Sequence, residues 1–132
     1  MAKEFINPTE LAPSPNNIYN HVVKAGNTVY ISGQVSRNLS GQTVHAGDPD
    51  AQIRQVWANL EAAVKAAGGS LTDIVKTTTY VVGAENLTKI RPARLELLPS
   101  EGRPTSTTIV VAGLADPGLL VEVEAIAVIE DR

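Results

Sequence analysis

Two carboxylates stand one residue apart near the end of the chain, in Val121-Glu122-Val123-Glu124. On an extended strand that spacing puts both side chains on one face. Two readings stand for them. They form a solvated stripe, or one sits at a cleft or subunit boundary with a raised pKa that lets it handle protons. Ser32-Gly33-Gln34 offers a hydroxyl, an approachable backbone and an amide; taken alone it is a turn. Thr105-Ser106-Thr107-Thr108 sets four hydroxyls ahead of an apolar run, Ile109 to Ala112, so these hydroxyls are expected at the mouth of a cleft, with the apolar half deeper in a sheet. His21 and His45 are isolated, and no familiar metal-ligand spacing can be composed from them. No GxGxxG, P-loop, HExxH or GxSxG motif occurs. Neither a metal nor a cofactor is expected.

The chain that must position these groups has 132 residues, enough for one domain over 1–132. With 43% hydrophobic residues and 19% charged, it can build a core. Aromatics make up 4%, so that core is aliphatic, and Trp57 and Tyr80 are assigned to core or interface packing. The formal net charge is −3 with no Lys/Arg cluster, which argues against a nucleic-acid partner. The absence of cysteine removes disulfides, thiolate metal sites and cysteine nucleophiles, and it permits a reducing compartment. The N-terminal MAKEFINPTEL lacks the apolar run of a signal peptide, and no apolar stretch reaches the ~20 residues that span a bilayer. A cytoplasmic protein without a membrane partner is expected.

Residues 28–34 read as a strand, and residues 21–24 as the strand that enters it through Ala25-Gly26-Asn27. Residues 36–49 form a loop. A helix capped by Asp48 or Asp50 follows, with Ile53, Val56, Leu60, Val64 and Ala67 on one face and Gly68-Gly69 as its stop. Asp73–Val82 is β-branched almost throughout and reads as a strand. A second helix lies within 86–98 and starts near Ile90, because Pro92 fits only a first turn. Strands at 105–113 and 119–129 follow, joined by Ala115-Asp116-Pro117-Gly118. The order β-β-α-β-α-β-β, with a hairpin at each end, predicts an α+β two-layer sandwich with both helices on one face of a mixed sheet. The last strand is substantially apolar on both sides, so a second subunit is expected to cover the other face.

Val121-Glu122-Val123-Glu124-Ala125-Ile126-Ala127-Val128 resembles the C-terminal signature of the Rid family, also called YjgF. The similarity runs along almost the whole chain. Ile31-Ser32-Gly33-Gln34 matches an SGQ segment, Gln55 to Gly68 with Asn59-Leu60 matches the first helix, and Asp73-Ile74-Val75-Lys76-Thr77-Thr78 matches a central strand. Tyr19 stands where the family commonly has tyrosine.

The resemblance implies a chorismate-mutase-like fold and a homotrimer with its sheets around a central barrel. It also implies three inter-subunit clefts that hydrolyse small reactive enamines and imines, such as 2-aminoacrylate, to the keto acid and ammonia. It makes Glu122 the catalytic glutamate and places Tyr19, Ser32, Gly33, Ser106 and Thr108 among the substrate-binding positions. One departure stands out. The family's carboxylate-binding arginine follows a Pro-x pair, and here Pro104-Thr105-Ser106 puts Ser106 in its place. A charge-assisted pair is worth about 1.5–3 kcal/mol, so the loss strikes substrate anchoring rather than proton handling. The chain resembles an arginine-less branch whose substrate differs from 2-aminoacrylate, unless Arg91, near a family pocket asparagine, supplies the charge from another wall. Arg94 and Arg103 read as solvated. The alternatives are a non-catalytic trimer that binds a small molecule and, more remotely, an endoribonuclease or translation inhibitor. Few stacking aromatics speak against the last.

Overall fold

Asp48 starts the long helix by accepting the amide of Ala51 at 3.1 Å, and Pro49 takes a first-turn position where no amide donor is required. The resulting α1, Pro49–Ala66, puts Ile53, Val56, Leu60 and Val64 on one fully buried face. Gly68 follows it at φ 94°, a conformation that costs glycine nothing. The structure, a computed structural model, describes residues 2–130, so the outermost residues of the expected domain lie outside it.

Among the described residues six strands form one sheet: β1 (Lys3–Ile6), β2 (Val22–Ala25), β3 (Thr28–Gln34), β4 (Ile74–Val82), β5 (Thr105–Val111) and β6 (Val121–Val128). Their order across the sheet is β1-β2-β3-β6-β4-β5, with β4 and β5 parallel and every other pair antiparallel. The short α2 (Arg91–Leu97) carries the chain from β4 to β5, as a parallel pair requires a crossover. Both helices lie on one face. Under them Val29, Ile31, Val121, Val123, Ala125 and Ala127 are buried, and each large aliphatic side chain there contributes about 1.5–3 kcal/mol. The alternate residues face the other way. There Tyr30 is 51% exposed, Val128 is 37% exposed and Ile126 is half-buried.

This is the expected mixed α+β fold, with three differences. An extra strand, β1, pairs with β2 at the sheet edge. The last two strands are not a hairpin, because β4 lies between them. The segment Ala115 to Gly118 therefore crosses from the edge of the sheet to its centre. Finally, the apolar half of β5 is not buried: Ile109 is 41% and Val110 47% exposed, because β5 is itself the edge.

Gln52, polar and fully buried, ties the loops to α1. Its amide donates to the carbonyls of His45 at 3.0 Å and Gly118 at 2.8 Å, and its oxygen accepts the Leu120 amide at 2.8 Å. The loop before α1 and the entry to β6 are thus held by one side chain.

Candidate functional site

Glu122 is directed by the pleat of β6. Val121 and Val123 pair with Val81 and Thr79 under the helices, so Glu122, paired with Tyr80, points to the opposite face. It meets β3 where that strand is irregular, between Ile31 and Gln34. A β-carbon on Gly33 would overlap Oε2 of Glu122, so a residue without a side chain is what lets the carboxylate lie against β3. Burial first, and the Glu124 charge second, push the Glu122 carboxyl above its ordinary value; the Arg37 charge opposes them. Of the two carboxylates, Glu122 is half-buried and Glu124 exposed. Glu124 accepts a short hydrogen bond from the Tyr80 hydroxyl, which raises the pKa of that phenol.

A hollow of about 390 Å³ opens beside Glu122, walled by Tyr19, Ser32, Gly33 and Arg37. Arg37 is fixed by Asp116 at 3.0 Å, and Thr43 donates to the same carboxylate oxygen at 3.1 Å. The Arg37 guanidinium first, then the Thr43 hydroxyl, hold Asp116 below the usual carboxylate range. Tyr19 packs edge-on against His21, with ring centroids 5.7 Å apart. The buried His21 lies 2.6 Å from the Ala12 carbonyl through Nε2 and 3.1 Å from Gln34 Nε2 through Nδ1. A carbonyl only accepts, so Nε2 carries the proton and Nδ1 accepts from Gln34. His21 thereby clips the N-terminal segment to β3 and steadies Tyr19. His45, exposed at φ 59°, lies away from this hollow, and its carbonyl accepts from the Gln52 amide and the Asp48 backbone amide, each at 3.0 Å.

The remaining expected residues gather elsewhere. Ser106 pairs with Thr77, and Thr108 with Thr79, so both face the helices. A second hollow, of about 210 Å³, lies there between α2 and β5, walled by Thr77, Arg91, Arg94, Arg103 and Ser106. Arg94 Nη2 donates to Ser106 Oγ at 2.9 Å. The guanidinium that reaches Ser106 is thus Arg94, one turn beyond Arg91, which lines the same hollow. Thr108 is exposed further along β5. Within one chain, then, Tyr19, Ser32, Gly33 and Glu122 come together, and Arg91 and Ser106 come together. The two groups lie on opposite faces of the sheet, and β4 stands between Ser106 and Glu122.

Sequence reasoning missed Arg37, Arg94 and the Tyr80 hydrogen bond to Glu124. One signal was available for Arg94. It follows Ala93, which packs into the core, and it lies three residues from Arg91, so α2 presents both arginines near one side.

Comparison with known proteins bears on this arrangement. The family model described as Endoribonuclease L-PSP matches residues 9–129. The chain is 33% identical over 130 residues to 2-iminobutanoate/2-iminopropanoate deaminase of Dermatophagoides farinae, covering 98% of this chain and 100% of that one. It is 34% identical over 127 residues to 3-aminoacrylate deaminase RutC of Acinetobacter baylyi, covering 96% and 98%. Among solved structures, the conserved Rid-family protein YyfA of Yersinia pestis superposes with a TM-score of 0.88 at 31% identity, covering 97% of this chain and 100% of that one.

Proposed function

The chain belongs to the Rid/YjgF family, and from that membership we propose that it is a cofactor-independent hydrolase that deaminates a small reactive enamine or imine. The observation that carries this is Glu122: a half-buried carboxylate with a raised pKa, laid over Gly33 at the rim of a hollow. A general acid-base group works best when its pKa lies near the working pH.

The chemistry asks little beyond such a group. An enamine tautomerises to an electrophilic imine by itself. Water attacks the imine carbon, and the new C–O bond forms as the π pair moves to nitrogen. Glu122 takes the proton that water loses and returns it to that nitrogen. The carbinolamine then collapses: Glu122 takes its hydroxyl proton and passes it to the same nitrogen, the C–N bond breaks, ammonia departs and the carbonyl remains. Ser32 and the backbone at Gly33 border the same space and position the water. Two relatives named as deaminases over most of their length support the reaction class.

We further propose that the working site is completed between subunits of a homotrimer. Glu122 of one chain faces the Ser106 hollow of its neighbour. The two half-sites occupy opposite faces of one sheet, so a single chain does not bring them together. Tyr30, Val128 and the β5 edge at Ile109 and Val110 expose apolar surface that an assembly would cover. The neutral Ser106 favours a second reading, a trimer that binds a small molecule without turning it over. To separate the two, 2-aminoacrylate and neutral imines are generated in situ by a lyase or oxidase, and ammonia and carbonyl release are followed. Acceleration that falls by on the order of 10²- to 10⁴-fold in Glu122→Gln supports the enzyme. No acceleration on any imine, with ligand-dependent thermal stabilisation, supports the binder.

A further inference from the structure

The hollow over Ser106 holds more positive charge than the chain neutralises. Arg91, Arg94 and Arg103 all line it. Among the described residues none of the three is ion-paired, although Arg37 and Arg54 both are. Arg103 Nε donates to the Pro99 carbonyl at 2.7 Å, which leaves its charge uncompensated. Arg94 is the innermost. Its Nε is buried and, among the described residues, meets no acceptor. Burial, and then the Arg91 charge, lower its pKa from the usual arginine value. A half-buried guanidinium with a free donor beside two like charges is a costly arrangement for a protein to keep empty.

We propose that Arg94 is the specificity-determining residue of the site: it grips the anionic group of the ligand, a carboxylate, while Ser106 fixes its guanidinium. This rests on the deaminase reading for the identity of the ligand, though not for the existence of the subsite. Ser106 takes on a positive role here. Its hydroxyl accepts one of the five guanidinium N–H donors and holds the plane of the group. The remaining Nη donors stay free for a planar, two-pronged contact, while Nε stays buried. A longer cationic side chain at 106 would meet Arg94 in the same space. The neutral residue at 106 and the arginine on α2 therefore belong together, and the substrate keeps its carboxylate although β5 carries no arginine at 106.

Two measurements test this. Binding of pyruvate and of its neutral amide is measured by calorimetry for the parent, Arg94→Gln, Arg94→Lys and Ser106→Ala. The ratio of kcat/KM for 2-aminoacrylate to that for a neutral imine is measured for the same set. Arg94→Gln weakens pyruvate and lowers that ratio by on the order of 10- to 100-fold, the value of a charge-assisted pair. Arg94→Lys recovers part of the loss, and Ser106→Ala shows a smaller loss than Arg94→Gln. Arg54→Gln, which removes an ion-paired guanidinium elsewhere, leaves both readouts where they are. A folded Arg94→Gln that binds pyruvate and keeps the ratio within about twofold overturns the proposal, and so does a parent that does not prefer pyruvate to the amide. A parent that binds pyruvate through Arg94 yet hydrolyses no imine removes the deaminase reading and leaves the subsite standing.

Discussion

Oε2 of Glu122 lies in the space that a β-carbon on Gly33 would need. The contact is with the far end of a flexible side chain, so an added methyl displaces the carboxylate rather than the strand. Gly33→Ala is therefore expected to fold with a Tm within about 3 °C of the parent and to lose on the order of 10- to 100-fold in kcat, the cost of misplacing a reacting group. Thermal melts and imine turnover check both halves. Full activity in Gly33→Ala would mean that Glu122 does not act from this position.

Glu122 also predicts a pH signature. Its carboxyl is pushed above its ordinary value by burial and by Glu124. The folded chain therefore holds that proton more tightly than the unfolded chain, so the group favours folding at low pH, and this contribution is lost as pH rises through the raised value. Glu122→Gln is neutral throughout. Its Tm should exceed that of the parent at neutral pH and above, with the gap closing as pH falls below the ordinary glutamate value of 4.5. Equal melting curves at every pH would place the carboxylate in water. A variant that is inactive yet more stable fits a residue kept for chemistry.

Gln52 joins three backbone groups from two loops to α1. Gln52→Leu keeps the bulk and leaves the Leu120 amide without a partner, while the His45 carbonyl keeps the Asp48 amide at 3.0 Å and the Gly118 carbonyl keeps the Gly47 amide at 3.5 Å. The expected loss is about 1–3 kcal/mol, the cost of one buried donor left unmet, a drop in Tm of roughly 3–10 °C for a domain of this size. Chemical denaturation measures it directly. A loss below about 1 kcal/mol would show that water replaces the amide.

The uncovered face predicts assembly. Ile126 pairs with both Tyr30 and Lys76 and sits among the residues that alternate away from the helices. Ile126→Lys places a charge in the proposed barrel and should convert a trimer into a monomer, read by sedimentation equilibrium as a mass of about one third. A parent that already sediments as a monomer contradicts the proposed assembly.

Much of this was legible in the sequence, and the reasons differ by element. The period of Ile53, Val56, Leu60 and Val64 and the stop at Gly68 defined α1, and the β-branched run through Thr77-Thr78-Thr79 defined β4. Pro92 placed the start of α2 within a residue of where it lies. Strand β1 escaped because two of its four residues, Lys3 and Glu4, are charged, as suits a sheet edge. The turn residues Asp116-Pro117-Gly118 signal a reversal, yet they say nothing of a third strand that comes between the two they join. For the same reason the order of strands, and with it the separation of Ser106 from Glu122 onto opposite faces, lay beyond local pattern. Arg91 and Arg94 were distinguishable only once the rotation of α2 about its axis was known. The glycine of Ser32-Gly33-Gln34 needed a neighbour, Glu122, before it became more than a turn residue.

The central claim is that Glu122 of one subunit and the Arg94–Ser106 hollow of another form one site. Mixing the inactive Glu122→Gln with the impaired Arg94→Gln, unfolding them together and refolding them at equal amounts tests it most directly. In a cyclic assembly of random composition about one quarter of the sites then combine two unaltered halves, and activity on 2-aminoacrylate should rise to about that share of the parent level. Activity that stays at the mean of the two separate variants would contradict a site shared between chains.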